Sequence, residues 1–323
     1  MRRRDFMRGG LALSIGADAP GSGAQGKFPD KPITLVVPFA AGGGGDVIAR
    51  AIAKGLSDRT GSPVIVENRT GAGGNIGAAY VLKSPANGYT LLNMSTTYAI
   101  QAGVARLAFD PIADMQPIIM VSRDPGIVIV HPSSPLKNLK DLLAAAQGAP
   151  GKLTYASAGI GSIAHLGVEE LAFIMGIKLA HVPYKGSSQA FGDLVGQHVD
   201  MMLTAATFGA PFIKSGRVRA LAVVGEQRNP YLPEIPTFAE QGYPSYQLYD
   251  WKAVAGPRGI PAEVVSWLNR ELNGVLKDKA IVEKFESEGT TLVGGTPEQL
   301  MQTVRSEAER WKMVARQANV RME

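Results

Sequence analysis

The chain contains no cysteine among its 323 residues. This absence excludes disulfide bonds, thiolate metal sites, cysteine nucleophiles and a lipoprotein anchor together. The sequence also has no apolar run long enough to cross a bilayer, and it has only four histidines. These histidines never fall at i, i+4 spacing and no carboxylate accompanies them at ligand spacing, so the pattern does not indicate a metal site. We therefore expect no metal and no cofactor.

Composition and charge indicate a compact protein without a nucleic-acid partner. Hydrophobic residues make up 45% and charged residues 19% of the chain, and its length allows two domains, each with its own core. The formal net charge is +5, but residues 1–24 hold four arginines and two aspartates, so the remainder is only mildly basic. No run of Lys or Arg with interleaved aromatic residues occurs, so we expect no nucleic-acid binding.

The first 24 residues are typical of an export signal. Arg3-Arg4-Asp5-Phe6-Met7-Arg8 resembles the twin-arginine motif, and a small, apolar stretch follows from Gly9 to Ala17. Ser22-Gly23-Ala24 offers a small-x-small cleavage site. We predict that residues 1–24 are a signal peptide that is removed on export, which leaves a periplasmic protein; a disordered cytosolic tail is the alternative.

A glycine-rich loop lies between the first predicted strand and the first predicted helix. Its sequence is Phe39-Ala40-Ala41-Gly42-Gly43-Gly44-Gly45-Asp46, after the β-branched strand Ile33–Pro38 and before apolar residues at helical spacing. Glycines leave backbone N–H groups uncovered, and the dipole of a helix that begins near Asp46 adds positive potential. The loop therefore predicts an anion site, with an ordinary tight turn between strand and helix as the alternative.

Strands and helices alternate from Lys31 onward, which predicts an α/β fold with mostly parallel sheets flanked by helices. The pattern restarts after Ile118–Val121 and Gly126–Val130, two short predicted strands separated by Asp124-Pro125-Gly126. The chain would thus cross between two lobes twice, the second time within the extended stretch Tyr246–Ala255.

The two crossings predict a shared cleft, because ligands of such sheets bind at the carboxyl ends of the strands. The predicted division assigns residues 25–124 and 251–323 to lobe 1 and residues 125–250 to lobe 2. We place a hinge near residues 122–127 and 248–253.

A second loop, rich in glycine and serine, follows the predicted strand Leu153–Ala156. Ser157-Ala158-Gly159-Ile160-Gly161-Ser162 gathers two hydroxyls and several N–H groups at the start of a predicted helix, which favours a carboxylate ligand. The alternative is that Ser162 is simply the N-cap of the helix, and both can hold. His165, in the first turn, is the one histidine placed to face the cleft.

The patterns of common enzyme classes are incomplete in this chain. A nucleophile elbow needs Gly-x-Ser-x-Gly, but Tyr155 stands where the first glycine before Ser157 should be. The dinucleotide pattern beginning at Gly71 has Ile76 in place of its third glycine, and no glycine loop ends in Gly-Lys-Ser/Thr. We therefore expect ligand binding without catalysis, with an exported α/β enzyme of hydrolase type as the alternative.

Several segments, in order and spacing, resemble the substrate-binding proteins of tripartite tricarboxylate transporters, also called Bug proteins. The resemblance runs from about Phe28 to Val320. The segments that carry it are Lys31-Pro32-Ile33, Val37-Pro38-Phe39-Ala40, Val66-Glu67-Asn68-Arg69-Thr70-Gly71-Ala72-Gly73-Gly74-Asn75-Ile76-Gly77, Asn87-Gly88-Tyr89-Thr90-Leu91-Leu92, Ser157–Ser162 with His165, Val182-Pro183-Tyr184-Lys185-Gly186-Ser187, and Leu232-Pro233-Glu234-Ile235-Pro236-Thr237 with Glu240.

The resemblance implies a two-lobed periplasmic binding protein of type II, the Venus-flytrap class, which closes around a small carboxylic acid. It would deliver this ligand to the membrane subunits of a tripartite transporter, and we expect a monomer; a receptor for a sensory system is an alternative. In this family backbone amides and ordered water typically hold one carboxylate without a dedicated arginine. By position, the implied ligand-binding residues are Phe39, Ala41, Gly42, Gly43, Ser95, Thr96, Ser157, Gly159, Gly161, Ser162, His165, Lys185 and Thr204.

Three departures from the family pattern concern the expected site. Ala41 stands where the family usually has proline, and Leu203–Thr207 lacks an aspartate that the family often places there. Lys252-Ala253 replaces the usual aromatic residue and glycine after Trp251. Lys252 would either favour a second acidic group on the ligand or lie on the surface.

Overall fold

The computed structural model describes residues 28–320, so the predicted signal peptide lies outside the described residues. The strands are β1 Ile33–Val37, β2 Val64–Asn68, β3 Thr90–Ser95, β4 Met115–Val130, β5 Thr154–Ser157, β6 Ala180–Pro183, β7 Met201–Ala205, β8 Arg219–Val223, β9 Tyr249–Pro257 and β10 Thr291–Gly294. The helices are α1 Gly44–Thr60, α2 Asn75–Leu82, α3 Thr96–Val104, α4 Leu139–Gly148, α5 Ile163–Met175, α6 Ser187–Val195, α7 Ala206–Lys214, α8 Ala262–Val275, α9 Lys279–Ser287 and α10 Pro297–Gln317. Within this part of the chain no helix combines the length and apolarity needed to span a membrane.

The strands form one curled, mixed sheet in the order β2-β1-β3-β9-β4-β7-β5-β6, with β8 and β10 paired to β4. In the first lobe β1 pairs in parallel with β2 and β3, and in the second lobe β5 pairs in parallel with β6 and β7. Among residues 28–320, antiparallel pairing involves only β4, β9 and their partners, since these two strands join the lobes. The predicted two-lobed α/β fold with two crossover strands is confirmed.

β4 is a single strand of 16 residues where the sequence predicts two short ones. Met115–Pro125 pairs with β9, whereas Gly126–Val130 pairs with β7 and β8. Pro125 has no N–H to donate, but the N–H of Gly126 donates to Leu248 O at 3.0 Å and continues the ladder. The predicted break was therefore wrong: at this point one strand passes from the first lobe's part of the sheet to the second lobe's part.

The last helix, α10, packs on both lobes. Leu300 and Val304 join a core cluster of the first lobe, and Trp311 lies in the main core of the second. Arg310 forms an ion pair of 3.0 Å with Glu170 of α5. The division of the lobes at the level of residues stays a prediction, and α10 is shared between the two cores.

Candidate functional site

Five helices begin at the cleft between the lobes, each after the carboxyl end of a strand. They are α1, α3, α5, α6 and α7, which follow β1, β3, β5, β6 and β7. Residues at the start of all five line one cavity, whose empty space is about 760 Å³ with its open mouth included. Because a helix N-terminus carries positive potential, five such ends favour an anion.

Most of these helix ends are uncapped. No side chain caps the start of α1, α3, α6 or α7 in the described part of the chain. Only α5 has a cap, where Ser162 Oγ accepts a hydrogen bond from the N–H of His165 at 3.3 Å. The first N–H groups of a helix need an acceptor from outside it. Within residues 28–320 no backbone carbonyl or side chain accepts from the N–H groups of Gly43, Gly44 and Gly45, so these are available to a carboxylate.

The glycine loop before α1 carries its own carboxylate. Gly42 adopts a φ of +78° and donates its N–H to Asp46 Oδ2 at 3.0 Å, so this N–H is already occupied. Asp46 also accepts from Arg50 Nε at 2.8 Å and from Asn68 Nδ2 at 2.9 Å. Burial pushes the pKa of Asp46 up, but these hydrogen bonds outweigh burial and hold it below its ordinary value. Asp46 thus fixes the loop, and the part open to a ligand begins at Gly43.

Two stacked histidines fix the loop before α5. Ser157 Oγ lies 2.6 Å from His181 Nε2 and 3.1 Å from both the N and the O of Gly159. His165 stacks on His181 with ring centroids 4.1 Å apart, and its Nδ1 accepts from the N–H of Gly161 at 3.1 Å. Burial lowers the pKa of both histidines to about 4, so both are neutral at pH 7. His165 therefore holds the loop and does not line the cavity.

Ser157 and His181 form a Ser–His pair, the arrangement from which nucleophilic catalysis starts. Ser157 is 0% exposed, however, and its hydroxyl is also bonded to Gly159. A substrate has no access to this oxygen in the observed arrangement, so the pair serves the shape of the loop. Among residues 28–320 no three His, Asp or Glu side chains are grouped to hold a metal ion.

The implied ligand-binding residues gather in one region but at different depths. Those that line the cavity are Phe39, Gly43, Ser95, Ser162 and Thr204. Those that line an adjoining opening, which shares Phe39 with the cavity, are Gly159 and Lys185. Those outside both linings are Ala41, Gly42, Thr96, Ser157, Gly161 and His165. Contact with a ligand stays a prediction for all of them.

Hydrogen bonds cross the mouth of the cleft and hold the lobes closed over the cavity. Ser188 Oγ of α6 donates to Ala41 O at 3.0 Å. The N–H of Ile163, at the start of α5, donates to Thr97 Oγ1 of α3 at 3.2 Å. Ala41 therefore contributes to closure through its carbonyl, and Thr97 is a cavity residue that the sequence-based selection missed.

Sequence reasoning also missed two polar side chains, Asn93 on β3 and Asp250 on β9, and it left open whether Lys252 of β9 favours an acidic group of the ligand or lies on the surface. We call Asn93, Asp250 and Lys252 the polar wall. All three line the cavity. Lys252 is 3% exposed, with its Nζ 2.6 Å from Asp250 Oδ2, so the surface alternative for this lysine is wrong. Burial raises the pKa of Asp250, and the neighbouring Lys252 opposes that rise. The alternation of side chains along a strand was the available signal, since it places residues 250 and 252 on one face.

Next to Lys252, the buried Asp124 ties β4 to both lobes. Its carboxylate lies 4.0 Å from Lys252 Nζ and accepts hydrogen bonds from Ser122 Oγ at 2.9 Å and from Thr290 Oγ1 at 2.6 Å. Thr207 Oγ1, in α7 of the second lobe, donates to the same carboxylate. Thr290 precedes β10, which pairs with the first-lobe half of β4, so one carboxylate links the two lobes where the chain crosses.

Two α/β lobes, joined by two strands and closed over a cavity rimmed by helix N-termini, define a solute-binding protein of the type II, Venus-flytrap class. The sequence profile of the tripartite tricarboxylate transporter family receptor matches residues 48–320. Protein BugT of Bordetella pertussis is 36% identical over 316 residues, which cover 97% of this chain and 94% of BugT. The chain therefore belongs to the family of tripartite tricarboxylate transporter receptors.

Solved structures agree with this assignment. The periplasmic binding protein BugD superposes with a TM-score of 0.88 at 33% identity, over 92% of this chain and 100% of that one. A protein of R. palustris solved with adipate gives a TM-score of 0.87 at 35% identity, over 90% and 98% of the two chains. MatC of Rhodopseudomonas palustris, with bound malate, gives 0.85 at 28% identity, over 89% and 99%.

Proposed function

We propose that this chain is a periplasmic receptor that captures a small carboxylic acid between its lobes and passes it to the membrane subunits of a tripartite tricarboxylate transporter. The observation that carries the proposal is the group of helix N-termini around one cavity, which have few side-chain caps within residues 28–320, where the N–H groups of Gly43, Gly44 and Gly45 also find no acceptor. Family membership and the adipate and malate bound by two similar structures support the same ligand class.

Binding would use backbone donors from both lobes. The N–H groups of Gly43–Gly45 belong to the first lobe, and the starts of α5, α6 and α7 belong to the second. A carboxylate that accepts hydrogen bonds from both sides stabilises the closed arrangement over the open one, which is the hinge motion of periplasmic binding proteins. The hinge would lie near residues 122–127 and 248–253, between lobes formed by residues 25–124 with 251–323 and by residues 125–250.

The proposal includes the absence of catalysis and a monomeric state. Ser157 is enclosed by its own loop, and the neutral pair of His165 and His181 is engaged in stacking and in hydrogen bonds to the loop. Residues 1–24 would direct the chain to the periplasm and be removed there. Uptake measured with the membrane subunits and the purified receptor in proteoliposomes tests delivery, and the same assay separates a transport receptor from a sensory one.

Thermal-shift screening of the mature protein against mono- and dicarboxylic acids tests the ligand class. A ligand that binds only the folded form stabilises it by mass action and so raises Tm. At a ligand concentration 100 times Kd, the free energy of unfolding increases by about 2.7 kcal/mol. We expect a shift with at least one acid and none with NAD or ATP. A shift with a nucleotide alone would overturn the proposal.

A variant of the glycine loop tests where the acid binds. Gly43→Val places two methyl groups between the loop and Ser187 of the opposite lobe, whose Cβ is 3.9 Å from the position of the new Cβ. We expect the ligand-induced shift to disappear while Tm of the free protein stays close to the wild-type value. Gly148→Val is the matched control, because the added Cβ meets nothing within 4 Å there. Unchanged affinity in Gly43→Val would remove the loop from the site.

A further inference from the structure

The polar wall holds two buried hydrogen-bond acceptors beside the cavity. Ser95 pairs with Lys252 across β3 and β9, and alternation places Asn93 and Asp250 on the same face. Asn93 uses its Nδ2 to donate to Gly45 O at 3.2 Å, and Asp250 uses its Oδ2 to accept from Lys252. In the described part of the chain the remaining oxygens, Asn93 Oδ1 and Asp250 Oδ1, are buried and have no donor.

Two unpaired acceptors in the polar wall indicate that the ligand supplies a hydrogen-bond donor. A buried acceptor without a partner is unfavourable, and a hydrogen bond that involves a charged group contributes more than one between neutral groups. Asn93 is 2% exposed and the side chain of Asp250 is 15% exposed, so bulk water does not readily satisfy them. Helix ends offer donors to a carboxylate, and the polar wall offers acceptors beside them, since Asn93 is bonded to Gly45 at the start of α1.

The charges around the wall disfavour a second carboxylate at this place. Lys252 is flanked by Asp250 at 2.6 Å and Asp124 at 4.0 Å, so two carboxyl groups face one ammonium group. The other carboxylate of the cavity, Asp46, is paired with Arg50 at 2.8 Å. A second acidic group would therefore meet like charge, whereas a hydroxyl or an ammonium group would not.

We propose that the ligand is a carboxylic acid that also carries a hydrogen-bond donor, a hydroxyl or an ammonium group, which binds Asn93 Oδ1 and Asp250 Oδ1. This inference rests on the proposed function and narrows its ligand class. The polar wall is then the part of the site that separates substituted acids from unsubstituted ones.

Isothermal titration calorimetry of the unmodified mature protein tests the inference with matched series of acids. The four-carbon series is succinate, which has no donor substituent, malate, which adds a hydroxyl, and aspartate, which adds an ammonium group. Propanoate, lactate and alanine form the same series on three carbons. We expect one donor-bearing member to bind at least about tenfold more tightly than its unsubstituted parent, equivalent to 1.4 kcal/mol. The malate-to-aspartate and lactate-to-alanine ratios identify which donor is preferred.

The outcomes separate this inference from the proposed function. If unsubstituted acids bind as tightly as substituted ones, the inference is overturned and the carboxylate receptor stands. If no acid binds, the proposed function itself fails. Both results come from the wild-type protein and do not depend on a variant that folds.

A variant locates the donor at the polar wall. Asp250→Asn keeps the shape of the side chain and removes its charge, so we expect affinity for the preferred donor-bearing acid to fall about tenfold or more, with the unsubstituted parent unaffected or strengthened. Asp58→Asn in α1 is the control, because that carboxylate pairs with Lys54 on the surface at 62% exposure. An equal loss for both acids in Asp250→Asn would contradict a direct contact.

Discussion

Gly186 lies where the two lobes touch, and replacing it with alanine tests whether the closed arrangement is the one that binds ligand. A Cβ at position 186 would lie 2.9 Å from Ala40 Cβ and 3.2 Å from Ala40 N, across the mouth of the cleft. The φ of Gly186 is 173°, an extended value that alanine adopts freely. The substitution therefore leaves the second lobe unstrained and collides only with the first.

The size of the effect follows from the overlap. Carbon atoms in contact normally lie about 3.5–4.0 Å apart, so the lobes must separate by close to 1 Å at this point or repack around the methyl group. An extra methyl group in a packed contact costs about 1–3 kcal/mol. Since this cost applies only to the closed form, Kd for the ligand should rise by about 5- to 150-fold.

Stability of the ligand-free protein should change little in Gly186→Ala. Alanine is a poorer N-cap than glycine, which weakens α6 slightly. It also lowers the conformational entropy of the unfolded chain, which stabilises the folded protein by about 0.4–1 kcal/mol. Gly192→Ala, in the middle of α6, is the matched control because its Cβ meets nothing within 4 Å. It should raise Tm through better helix propensity and leave Kd unchanged.

Calorimetry with the tightest acid of the panel, together with small-angle scattering, measures the effect. We expect the radius of gyration to decrease on ligand addition in the wild type and in Gly192→Ala, and to decrease less in Gly186→Ala. Wild-type affinity in Gly186→Ala would refute the assignment of Gly186 and Ala40 as a contact of the ligand-bound form.

Two further predictions concern the groups that hold the site in shape. Thr207→Val keeps the shape of the side chain but removes a donor to Asp124, so the free energy of unfolding should fall by about 1–3 kcal/mol in urea titrations, and an unchanged value would contradict this buried cluster. Because the pKa values of His165 and His181 are about 4 in the folded protein and 6.5 when unperturbed, unfolding takes up protons between these values. The part of the free energy of unfolding that depends on the neutral histidines should be fully present above pH 6.5. It should fall towards pH 4, by about 1.4 kcal/mol per pH unit for each histidine. His181→Gln should flatten this profile, and parallel profiles for the two proteins would count against buried neutral histidines.

The glycine and serine loops could be predicted from the sequence because their signal is local. Strand, glycine run and helix follow one another within about twenty residues at Ile33–Ile52, and the same holds at Leu153–Met175. The depth of each residue in the site could not be predicted in this way. Ser157 and His165 face His181, which arrives from another strand, so their orientation depends on the pairing of β5 with β6.

The polar wall depends on contacts between residues far apart in the chain. Asn93 and Lys252 lie close together because β3 pairs with β9, and no local sequence pattern predicts this pairing. Thr97, in the first turn of α3, was missed for a related reason: Thr96, Thr97 and Tyr98 have weak helix propensity, and the helix is stabilised by packing, including its contact with α10. Here tertiary structure overrides the local preference.

In the proposed function, the helix ends around the cavity would couple ligand capture to closure through electrostatics. α1 and α3 belong to the first lobe and α5, α6 and α7 to the second, so five ends of equivalent charge near +0.5 approach one another when the lobes meet. Closing without an anion brings these like charges together in a site from which water is largely excluded, whereas a carboxylate between them turns repulsion into attraction.

The same argument explains a site built on backbone donors rather than on arginine. Among the described residues that line the cavity none is an arginine, and the one lysine is already paired with Asp250. A guanidinium on one lobe would hold the acid tightly in the open protein, so little additional free energy would remain to favour closure. In the proposed receptor, donors divided between two lobes would bind the ligand weakly until the lobes meet. The affinity for the ligand would then favour the closed form, which is the form that the membrane subunits would recognise.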